Sequence, residues 1–110
     1  MEKSCLPDIL HEDDHNRVTY CSHCQNLQVE AGNVLFSLSY EEFGLLSIEI
    51  KKLIHHFTQL GLHAQCKKRL LFPLHGMHLF LSYTLKDYQK LLEVMEVSEF
   101  MLETKNILTS

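Results

Sequence analysis

The chain has 110 residues, 45% of them hydrophobic and 22% charged, with a formal net charge of −4 and an isoelectric point near 6.0. These values describe one folded domain and exclude a disordered chain. They also argue against a general electrostatic grip on nucleic acid, which draws on a basic surface, and no apolar run reaches the roughly 18–20 residues that span a bilayer.

Residues 1–16 are polar and acidic, with Glu2, Asp8, Glu12, Asp13 and Asp14, and carry no clear period. A flexible N-terminal arm is expected there. The segment lacks the apolar core and small-residue cleavage site of a signal peptide, so the expected location is cytoplasmic, where thiols stay reduced. Cys5, Cys21, Cys24 and Cys66 then read as metal ligands, redox groups or buried apolar residues before they read as disulfides.

A single α+β domain is expected over 17–104. Arg17 to Tyr20 alternates as a strand does and leads into Cys21-Ser22-His23-Cys24. Leu27, Val29 and Ala31 alternate with Gln28 and Glu30, the pattern of a half-buried strand. Gly32-Asn33 tolerates positive φ and predicts a hairpin turn. Val34, Phe36 and Leu38 form the apolar side of the return strand. Ser39-Tyr40-Glu41-Glu42 has the form of a capping box. Phe43, Leu46, Ile50, Leu53, Phe57 and Leu60 follow at helical spacing, and Gly61 predicts a left-handed cap.

The second half repeats the plan. Lys67-Lys68-Arg69 precedes an apolar run, Leu70 to Leu74, in which Pro73 predicts an edge strand or bulge. His75-Gly76 can turn the chain, and Met77 to Tyr83 returns. Thr84-Leu85-Lys86-Asp87 resembles a second helix start, with Tyr88, Leu91, Leu92, Met95 and Leu102 on one face. Residues 105–110 are expected to form a frayed tail. A 45-residue shift aligns the halves, placing Cys21 on Cys66, Ser39 on Thr84, Phe43 on Tyr88 and Leu46 on Leu91. The expected architecture is therefore two consecutive β-hairpin–α-helix units, forming one four-stranded sheet with both helices on one face.

Cys21-x-x-Cys24 is the motif with a definite chemistry. Two intervening residues let both sulfurs turn toward one tetrahedral cation, at about 2.3 Å for zinc. His63-Ala64-Gln65-Cys66 offers two more ligands at the same separation, so Cys21, Cys24, His63 and Cys66 form a candidate Cys₃His site for one structural zinc. His23 or Cys5 could replace His63. The rival is thiol–disulfide chemistry at the same pair, which wants a cation or a helix N-terminus nearby. The plain alternative is a set of reduced cysteines packed at the sheet end.

Other signals carry less. His55-His56 diverge by about 100° on a helix and do not readily share one ion. Lys67-Lys68-Arg69 reads as a solvated edge that discourages aggregation. Glu93, Glu96, Glu99 and Glu103 read as the solvent side of the second helix. There is no phosphate-binding glycine loop, nucleophile elbow or HExxH, and no catalytic set is nominated.

The stretch from Cys21-Ser-His-Cys24 through Gly32-Asn33-Val34 to Leu38-Ser39-Tyr-Glu-Glu42-Phe43 resembles a family of small bacterial CxxC proteins of Bacteroidetes type, of unknown function. In that pattern a CxxC precedes a Gly/Asn hairpin and a capped helix with a Glu-Phe pair. The resemblance implies a compact cytoplasmic protein and transfers no catalytic residue. The expected function is a non-enzymatic binding or adaptor domain, stabilised by zinc in one version, with a CxxC redox or metal-handling protein as the alternative. Its expected partner is another protein or its own copy, with Leu35, Leu79, Leu81 and Tyr83 as a candidate apolar patch.

Overall fold

In the computed structural model the described residues are 8–63, 65–74 and 79–109, with the side chains of Leu79 and 106–109 left aside. Strand β1 (Asp8–Glu12) pairs antiparallel with β2 (Asn16–Cys21), β2 with β3 (Asn26–Ala31), and β3 with β4 (Val34–Leu38). The strands thus form a simple meander in the order β1-β2-β3-β4. Across it, Val18 faces Val29 and Val29 faces Phe36, while Tyr20 faces Leu27 and Leu27 faces Leu38. These rows put the apolar side chains on one face, where Val18, Leu27, Val29 and Ala31 are buried. The intervening rows, Arg17–Glu30–Leu35 and Thr19–Gln28–Ser37, alternate to the other side.

Helix α1 (Tyr40–Gln59) begins where β4 ends. Ser39 Oγ accepts from the Glu42 amide at 3.1 Å and Glu42 accepts from the Ser39 amide at 2.9 Å, the reciprocal box expected from the sequence. Phe43, Ser47 and Ile50 are buried on it. The helix closes with Gly61 N–H on the Thr58 carbonyl and Leu62 N–H on the Phe57 carbonyl, both at 3.0 Å, with Gly61 at φ +91°. That is the Schellman arrangement, and it leaves Leu60 outside the buried stripe at 64% exposure.

The hairpin of β5 (Arg69–Leu74) and β6 (Leu79–Thr84) follows, then helix α2 (Leu85–Thr109). Thr84 and Asp87 cap α2 reciprocally, with Asp87 N–H on Thr84 Oγ1 at 3.2 Å. Tyr88, Leu91, Val94, Met95 and Leu102 are buried along it. The buried Ser98 hydroxyl donates back to the Val94 carbonyl at 2.7 Å, so it adds no unsatisfied group to the core. The helices run antiparallel, tied by Tyr40 to Glu103 at 3.2 Å and Lys51 to Glu96 at 3.2 Å. α2 packs over β1 and β2, and α1 over β3 and β4.

The α+β class stands, but the expected sheet does not. Hairpin and helix do occur twice in order, yet β5 and β6 form a separate two-stranded sheet. The four-stranded sheet is complete without them, because the segment expected to be a flexible arm supplies β1 and β2 takes up the second edge of β3. Acidic ends and a bulge between Ile9 and His11 disguise β1 as irregular chain. At the other terminus α2 continues to Thr109, past the expected start of the frayed tail. The expected turn at His75-Gly76 lies outside the described residues.

Candidate functional site

The Cys21–Cys24 segment forms the β2–β3 turn. Gln25 N–H closes it onto the Cys21 carbonyl at 2.7 Å, and Gln25 takes the left-handed conformation at φ +60°. The Cys24 amide donates to Cys21 Sγ at 3.5 Å. An amide aimed at sulfur is the backbone half of a thiolate site, and here Gln25 adopts a conformation usually given to glycine. Cys21 is buried and disulfide-bonded, so in this state its sulfur is not a thiolate.

The other two sequence-nominated ligands lie elsewhere. His63 is exposed and Cys66 half-buried, in a turn where Cys66 N–H meets the His63 carbonyl at 2.9 Å. That turn follows the C-terminal end of α1. The Cys21–Cys24 turn is at the opposite end, since Leu27 pairs with Leu38 just before α1 starts. A helix of 20 residues separates the two ends by about 30 Å. Among the described residues no three of His, Cys, Asp and Glu come together as a metal group. His55 and His56 are exposed on α1, and the His56 ring stands edge-on to Phe57 with centroids 5.0 Å apart.

The expected apolar patch also disperses. Leu35 is 58% exposed on β4, but Leu81 is buried and the half-buried Tyr83 hydroxyl donates to the Ala31 carbonyl.

A groove of about 240 Å³ with a largely apolar lining lies between β4, the first half of α1 and β5. Phe36 and Leu38 form one wall, Leu45 and Leu46 another, and Phe72, Pro73 and Leu74 the third, with Glu42 and Glu49 as its polar groups. β4 is the outer strand of its sheet and β5 pairs only with β6. Each therefore keeps one strand edge outside the described ladders, and Pro73 removes a donor from β5. Sequence reasoning assigned Phe36, Leu38 and Leu46 to the core and missed the groove. Its one advance sign was Pro73, which marks β5 as a strand not embedded in a larger sheet.

A second cleft, about 250 Å³, lies between the β1–β2 turn, the β3–β4 turn and the start of α2, lined by His15, Asn16, Arg69, Tyr83, Asp87 and Lys90. Its polar groups serve the fold. Asp87 caps α2, Arg69 donates to Ser82 Oγ at 3.0 Å and to the Ser82 carbonyl at 2.6 Å, and Tyr83 holds Ala31. Among the described helices, none is long and apolar enough to cross a membrane. In comparison with known proteins, the chain matches no family model, no curated protein and no solved structure.

Proposed function

We propose that this protein is a binding domain whose groove between β4, α1 and β5 takes an extended, apolar segment of another protein. The observation that carries this reading is the groove itself, in which seven apolar residues line the walls and Glu42 and Glu49 are the polar groups. Such a surface gains by excluding water from an apolar side chain. The two carboxylates favour a Lys or Arg beside that anchor. The open edge of β4 supplies main-chain groups for a segment lying along it, the β-augmentation mode of peptide recognition.

The test is selection from a displayed library of random ten-residue peptides on the folded protein, followed by binding to Leu46→Arg and Leu74→Glu variants. The expected winners carry apolar anchors flanked by Lys or Arg, and lose at least about tenfold in affinity on both variants, the loss of roughly one buried apolar side chain. Winners that bind wild type and both variants alike, or a selection with no winners, would overturn the proposal.

A further inference from the structure

The outward side of α1 carries a patterned stripe of charged and apolar residues. Glu41, Leu45, Ile48 and Lys52 follow one another at steps of four, three and four, so they form one stripe along the helix. It lies away from the buried Phe43, Ser47 and Ile50. Leu45 is 63% exposed and Ile48 51%. Among the described residues Lys52 makes a loose contact with Glu49, at 3.9 Å on the same helix. The stripe thus reads acidic, apolar, apolar, basic.

That order is its own complement when reversed. We infer that a second copy of this chain docks on the stripe, with the two α1 helices antiparallel about a two-fold axis between Leu45 and Ile48. Leu45 of one copy then meets Ile48 of the other, and Glu41 meets Lys52, each contact made twice as an isologous interface requires. The steps of four and three match the seam along which antiparallel helices pack. A parallel arrangement would set Glu41 against Glu41 and Lys52 against Lys52, so the charges select the antiparallel one. Phe100, 66% exposed, lies on α2 within one turn of Glu96 and Glu103, which bond Lys51 and Tyr40 of α1.

This interface goes beyond the groove reading. Leu45 belongs to both surfaces, but Glu41, Ile48 and Lys52 do not line the groove, so substitutions at those three positions separate self-association from peptide binding. The experiment is sedimentation equilibrium of the whole chain over a wide concentration range, with far-UV circular dichroism to confirm each variant's fold. Wild type is expected to reach the dimer mass, and Ile48→Glu to be monomeric. Glu41→Lys and Lys52→Glu should each weaken the dimer by about tenfold, since each turns two attractions into repulsions. The double variant Glu41→Lys/Lys52→Glu should recover most of the wild-type affinity. A wild type that stays monomeric up to about millimolar concentration, or a dimer indifferent to Ile48→Glu and to both single charge reversals, would overturn the inference.

Discussion

The hydroxyl of Tyr83, on β6, donates to the main-chain carbonyl of Ala31, 52 residues earlier at the end of β3. This bond joins the two sheets, which share no strand pairing. It also brings the tyrosine against the β3–β4 turn, where a Cβ added to Gly32 would stand 3.3 Å from the Tyr83 oxygen. The small sheet is thus pinned beside β4 rather than added to it, and the groove is the space that remains between them.

Tyr83→Phe should destabilise the fold by about 1 kcal/mol, because the Ala31 carbonyl loses its tertiary partner. Gly32→Ala should cost about 1–2 kcal/mol, since φ is +63° there and the new methyl crowds the same hydroxyl. Urea unfolding reads both. Because the two changes act on one contact, the double variant should fall short of additivity.

Tyr88 provides a pH dependence. Its hydroxyl is buried between the carbonyls of Leu70 and Leu81, at 2.8 and 3.1 Å. Burial pushes its phenol from 10.0 up to about 12. The folded state therefore holds this proton more tightly than the unfolded state does. The contribution is intact below about pH 10 and is lost as pH rises toward about 12. Urea midpoints measured across that range should fall, and Tyr88→Phe, although less stable at neutral pH, should show a shallower fall.

Ser39→Ala removes the side-chain half of the α1 capping box and should cost about 1 kcal/mol. Thermal unfolding should show a lower midpoint with the groove's peptide preference unchanged, because Ser39 is not among the groove residues.

Metal content separates the two cysteine-bearing turns. With about 30 Å of helix between the ends of α1, zinc retained at the Cys21–Cys24 turn under reducing conditions should not depend on His63 or Cys66. Elemental analysis of His63→Ala and Cys66→Ser should match wild type. Loss of zinc in either variant would restore the four-ligand site.

What could be read from the sequence was local. The Ser39–Glu42 box, the Gly32-Asn33 turn, the Gly61 cap and the Thr84–Asp87 start each depend on residues within a few positions, and each is present. Strand partnership depends on competition between distant segments and was misread. Arg17 to Tyr20 reads as a strand, but its alternation does not say that it pairs with both β1 and β3. β1 itself was hidden among carboxylates, and a bulge breaks its period. The four-ligand zinc set depends on distance in the same way. Equal spacing in Cys21–Cys24 and His63–Cys66 says nothing about the length of helix α1 between them. The groove was illegible because Phe36, Leu46 and Phe72 have the same apolar pattern whether a neighbouring strand covers them or a gap remains.

The central claim, that the groove receives an extended apolar segment, is tested most directly by amide chemical-shift mapping of the labelled protein with a selected peptide. The account predicts that the largest shifts fall on Phe36, Leu38, Leu45, Leu46, Phe72 and Leu74, and continue along the β4 edge. Shifts concentrated on the Cys21–Cys24 turn or on the cleft around Arg69 and Lys90, with the groove residues unmoved, would contradict it.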